Sequence, residues 1–114
     1  MIHFDCYDIL SGDLPSWRGY VSLMYSFGSN YELIVSCEDD CYTLLVVRVG
    51  LDLFVLLPKR NVCCLIPAFW ESFSNANILY EILGDKVGAI TIAIALKEFS
   101  NLLCLPYTDI NRII

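Results

Sequence analysis

YELIVSCEDDCYTLLVVRVGLDLFVLL, residues 31–57, decides how this chain folds. It holds three apolar runs, 31–37, 42–49 and 51–57. Glu38-Asp39-Asp40 separates the first two, and Gly50 separates the last two. β-Branched and aromatic residues dominate, and the runs are too short and too finely alternating for helices. Tyr31, Leu33, Val35 and Cys37 share one face of the first run, and Leu51, Leu53, Val55 and Leu57 share one face of the last. The middle run is apolar on both parities, because Leu45, Val47 and Val49 oppose Leu44 and Val46. That pattern predicts the central strand of an antiparallel sheet, covered on both faces. Val47→Asp would then bury an unpaired charge, at a cost on the order of several kcal/mol.

Working outward from this stretch, 2–8 (IHFDCYD) alternates weakly and reads as a first edge strand, and 11–16 (SGDLPS) is turn chemistry. WRGYVSLMYSF (17–27) reads as the next strand, with Val21, Leu23, Tyr25 and Phe27 on one face and Tyr20, Ser22, Met24 and Ser26 on the other. Gly28-Ser29-Asn30 ties it to residue 31 as a hairpin. Gly50 fits either a turn or a bulge within one long bent strand. Pro58-Lys59-Arg60-Asn61 closes that section, and VCCLI (62–66) has the length of one more strand.

After Pro67 the period changes. Phe69, Trp70, Phe73, Ile78, Leu79, Ile82 and Leu83 recur at helical spacing, with Asn75 or Asn77 in N-cap chemistry and Gly84 in C-cap chemistry. In 85–103 (DKVGAITIAIALKEFSNLL), Ile90, Ile92, Ile94 and Leu96 alternate as in a strand, yet Ile92, Leu96, Phe99 and Leu103 share a helical face. A buried helix is the expectation, and the tail 105–114 reads as irregular or a short edge strand. The whole predicts one α+β domain, 1–114: an antiparallel sheet of about five strands in residues 2–66, then two helices, about 68–83 and 86–103, packed on one face. With no repeat, low-complexity tract or linker, no boundary divides it.

Apolar types make up 57% of the 114 residues and charged types 18%. A domain of this size must expose a large share of its residues, so part of that apolar excess is expected on a surface that another protein covers. The longest stretch free of Asp, Glu, Lys and Arg is 19–31, thirteen residues including several Ser and an Asn. A membrane span needs about 20 apolar residues, so no membrane role is expected. MIHFDCYD lacks the basic flank and apolar run of a signal peptide. A cytoplasmic protein follows, with Cys6, Cys37, Cys41, Cys63, Cys64 and Cys104 as reduced thiols.

Net charge is −6, which argues against nucleic acid as a ligand. Residues 1–57 carry eight acids against two bases, and residues 58–114 five of each, so all the net charge belongs to the sheet half. One-sided charge attracts a partner of opposite sign and speeds encounter.

Catalytic equipment is sparse. His3 is the only histidine, beside the N-terminus, where a side chain is rarely held well enough to activate a nucleophile. The six glycines form no phosphate loop. Cys37-x3-Cys41 with Cys63-Cys64 gives four thiols, but adjacent strand residues point to opposite faces, which spoils a zinc set. No cofactor and no metal is expected, and no enzyme. Glu38, Asp39 and Asp40 lie in a polar turn where solvation keeps carboxylates ordinary, so their use is as a charged contact rather than as acid–base catalysts. The candidate partner-binding residues are Glu38, Asp39, Asp40 and Tyr42 at this turn, with Asp13 and Trp17 at the earlier one.

In organisation, with an acidic β-rich half, an apolar excess and no catalytic set, the chain resembles the small cytoplasmic immunity proteins of bacterial toxin systems, those of contact-dependent growth inhibition included. The likeness covers architecture, and no functional residue carries over. It implies a cognate toxin domain, often a nuclease, whose basic groove an acidic surface would fill. Phage-encoded inhibitors of host defence nucleases share the same organisation. Two other classes stand beside the inhibitor. One is a structural subunit whose apolar excess is buried in a homo-oligomer, and the other an enzyme with an unrecognised Cys or carboxylate site.

Overall fold

The computed structural model describes residues 1–12, 16–38, 40–50, 52–67 and 72–103. Six strands form one antiparallel meander in the order β1-β2-β3-β4-β5-β6. They are β1 (Ile2–Cys6), β2 (Trp17–Phe27), β3 (Asn30–Cys37), β4 (Asp40–Val49), β5 (Asp52–Leu57) and β6 (Val62–Ile66). Two helices follow, α1 (Ser72–Leu83) and α2 (Lys86–Leu103). The α+β architecture is the expected one. The sixth strand arises because Gly50, at φ 63, is a turn rather than a bulge in one long strand.

Both helices lie on one face of the sheet: α2 packs on β1, β2 and β3, and α1 packs on α2 and β6. The inward parity is the expected one, with Leu33, Val35, Leu44, Val46, Leu53, Val55 and Leu57 fully buried beneath Leu79, Ile90, Ile92 and Leu96. Helical geometry prevails in α2 because its alternating Ile and Ala residues also place Ala89, Ala93 and Leu96 on one stripe. The small residues let the helix sit close to the sheet. Asp85 caps the helix, its Oδ1 accepting from the Gly88 amide at 3.1 Å. Gly84, at φ 72, closes α1 by donating its amide to the Tyr80 carbonyl. Among the described residues no helix is long and apolar enough to cross a membrane.

Three expectations need correction. The central strand is covered on one face only: Val46 is 1% exposed but its neighbour Val47 is 37% exposed, and no described element packs above it. Val47→Asp therefore meets solvent and loses its predicted cost. In β2 the register shifts between Leu23 and Tyr25, a bulge at Met24 that reverses the parity beyond it. Tyr25 consequently pairs with outward Glu32 and leaves the face it was expected to share with Val21. Asn75 and Asn77 do not cap α1 but lie inside it, since the helix begins at Ser72. The expectations for Trp70 and for the tail 105–114 fall outside the described residues.

Candidate functional site

Two surfaces stand out, and the meander separates them. The β1–β2, β3–β4 and β5–β6 connections gather at one end of the sheet, with the start of α2 beside them. The other surface is the uncovered face toward the opposite end.

At the first end, Cys37 pairs with Asp40, so the β3–β4 connection that begins at Glu38 is short. Glu38 has φ 50, the left-handed region that Asn and Gly occupy readily and a glutamate does not. Holding it there costs about 1 kcal/mol. Both Glu38 and Asp40 are exposed. The candidates Asp39 and Asp13 lie outside the described residues.

The other described acids of this end have partners. Asp5 faces Arg18 at 3.5 Å across β1 and β2. Asp8 takes Lys86 Nζ at 2.8 Å and the Ser11 hydroxyl at 2.5 Å. Those two hydrogen bonds hold its carboxyl well below the usual range, at about 2. Lys59 and Arg60 stand on the neighbouring 3-10 turn, Pro58–Arg60. The sheet half's remaining acids sit elsewhere, Glu32 on the open face and Asp52 where β5 begins.

Tyr42 and Trp17, named from sequence as contact residues, are turned to the interior. Tyr42 is 3% exposed, and its hydroxyl donates to Asp85 Oδ2 at 2.5 Å. The Arg60 guanidinium lies 5.4 Å from its ring centroid. Burial first, then the Asp85 hydrogen bond, pushes the Tyr42 phenol up from its ordinary value. Trp17 is half-buried, its Nε1 donating to Thr91 Oγ1 at 2.8 Å. Thr91 in turn donates to the Val87 carbonyl at 2.7 Å, and the buried Cys6 and Cys37 thiols lie near the same hydroxyl. Burial raises both thiols, Cys6 to about 12. This cluster pins the start of α2 onto β1–β4. Its thiols are inert where a catalytic cysteine would have to be exposed and acidic. His3 is exposed on the edge strand, with its ring edge-on to Tyr20.

The open face carries what sequence reasoning missed. A groove of about 410 Å³ lies between β2 and β5, lined by Tyr25, Glu32, Leu45, Val47, Phe54 and Leu56 among others. Among the described residues Glu32 is its only charged lining residue. A signal was present in the sequence, since Leu45, Val47, Phe54 and Leu56 are apolar at outward parity. It was read there as a second covered face. Cys63 and Cys64 point to opposite faces of β6, one exposed and one buried, and among the described residues no three His, Cys, Asp or Glu side chains converge as a metal site.

The chain belongs to DUF6618, a family of unknown function whose model matches residues 2–104. No curated protein and no solved structure matches it.

Proposed function

We propose that this DUF6618 chain is a non-catalytic binding protein that neutralises a basic protein partner, in the manner of an immunity protein covering the substrate groove of a toxin or nuclease domain. The observation that carries the reading is the β3–β4 hairpin loop. Glu38 and Asp40 stand exposed there, and Glu38 is held in a backbone conformation that a solvated turn would more easily give to Asn or Gly. Asp8 is paired with Lys86, and Asp5 lies 3.5 Å from Arg18 in a largely exposed contact. Among the described residues the loop is thus where exposed carboxylates of this end stand without a cation across from them. Carboxylates presented on a hairpin accelerate encounter with a cationic groove and set its register. A phage-encoded inhibitor of a host defence nuclease would use the loop in the same way.

The experiment is co-expression with the product of the neighbouring reading frame in its native genome, scored as growth and as complex formation across a salt series. Wild type restores growth and binds with an on-rate that falls as salt rises. Changing Glu38, Asp39 and Asp40 together to Lys abolishes rescue while the circular dichroism spectrum is retained. Full rescue by the triple variant refutes the role given to the loop. A wild type that neither rescues nor binds refutes the function.

A further inference from the structure

The uncovered sheet face is a second feature, independent of the acidic loop. Tyr25, Phe27, Leu45, Val47, Phe54 and Leu65 all point outward on β2, β4, β5 and β6, each between 37% and 70% exposed. At about half exposure and ~200 Å² apiece they leave roughly 600 Å² of apolar surface, crossed by Asn30 and Glu32 on β3, at the upper end of what monomers carry. Half-buried Ile34 and Leu56 and the intervening backbone bring a face-to-face contact toward the ~800 Å² per partner of a standard stable interface.

We propose that the occupant of this face is a second copy of the chain, packed sheet on sheet about a two-fold axis, with helices outermost on both sides. Area is one argument and composition another. The six residues are aliphatic or aromatic without a lysine among them, as in a domain core cut in half rather than a transient contact. Shape is a third, because two sheets of equal twist stack at about 10 Å with their strands nearly aligned. The groove gives such a stack a recess for the partner's side chains.

Charge is the fourth argument. The chain carries −6, yet among the described residues the groove is lined by one charge, Glu32 on β3. Glu32 pairs with Tyr25 on one side and Leu45 on the other, so its carboxylate stands within the patch and has to stay hydrated or hydrogen-bonded in the stack. Glu38 and Asp40 stand at the other end of the meander, where two stacked copies still present them to solvent. A cationic partner would find that one carboxylate alone to pair with on this face among the described lining residues. The dimer is therefore compatible with the proposed function and separate from it.

The test is sedimentation equilibrium of the full chain from about 5 to 500 µM, beside the double variant Val47→Lys/Phe54→Lys and the loop double variant Glu38→Lys/Asp40→Lys. The expected result is a species of twice 12.9 kDa for wild type and for the loop variant, and a monomer with unchanged circular dichroism for the face variant. A second readout, a melting temperature that rises with wild-type concentration, does not depend on any substitution. If Val47→Lys/Phe54→Lys misfolds, Val47→Thr/Phe54→Thr replaces it. Wild type remaining at 12.9 kDa throughout overturns the proposal, as does a dimer that survives both face variants or one dissolved by the loop variant.

Discussion

Val46 and Val47 are consecutive valines on one strand with opposite fates, and comparing their replacement by alanine isolates burial from strand propensity. Val46 lies beneath the helices at 1% exposure, and Val47 faces outward at 37%. Val46→Ala removes two buried methyl groups at about 1 kcal/mol each plus a cavity term, a total of roughly 2–3 kcal/mol. Val47→Ala loses the same β-branching, about 0.5 kcal/mol, and only part of the burial, so its cost stays near 1 kcal/mol. At about 4 °C per kcal/mol for a chain of this length, the melting temperature should fall by about 10 °C for Val46→Ala and by about 4 °C for Val47→Ala. Urea titration at low micromolar protein, with unchanged slope m, gives the free energies directly. Equal losses at the two sites would mean the sheet is covered on both faces and that the parity assigned here is wrong. A Val47→Ala penalty that grows with protein concentration would instead measure the proposed dimer.

Two further outcomes follow from the packing of α2 onto the sheet. A Cβ on Gly88 would run into the Tyr42 hydroxyl and Asp85 Oδ2. Gly88→Ala should therefore destabilise by about 1–3 kcal/mol despite alanine's better helix propensity, and a variant as stable as wild type in the same titration would show that the contact yields easily. Stability should also fall on the alkaline side. Burial raises Cys6 to about 12 and Cys64 to about 11, and raises Cys37 and Tyr42 as well. The unfolded chain loses these protons nearer pH 8.5–10 while the folded chain keeps them. The unfolded state thus binds fewer protons above pH ~9, and stability declines by about 1.4 kcal/mol per pH unit for each group until its folded value is reached. Urea midpoints at pH 7.5 and pH 10.5 check this; identical midpoints would contradict it, and Cys64→Val should lessen the fall.

Much of the fold could be read in the chain because period reports burial. Inward Leu33, Val35, Leu53, Val55 and Leu57 stand at alternate positions, and Gly84 ends α1 as its chemistry demands. The bulge at Met24 was invisible, since inserting one residue reverses parity without altering composition, and Tyr25 and Phe27 changed faces with it. Asn75 misled in another way. An asparagine reads as a cap, but it is buried inside α1 with Oδ1 unpaired, a choice that tertiary packing imposed against local preference. Of the candidate loop, Glu38 and Asp40 were legible as exposed charge. The inward turn of Tyr42 and Trp17 depends on partners 43 and 74 residues distant, and the left-handed backbone at Glu38 leaves no mark in composition.

By itself, the amino-acid order determined most of the elements: an antiparallel sheet of about five alternating segments, with Gly50 open as turn or bulge, two helical segments of which the second also alternated like a strand, and the acid-rich turn at 38–40. It could not say how many faces of the sheet are covered, because an outward Val47 and an inward Val46 are the same residue until something packs above one of them. The tertiary structure decided that. Both helices follow the last strand, are joined only through Gly84 and Asp85, and pack against each other as well as the sheet. They therefore lie on the same side, and the apolar residues of opposite parity are left facing outward.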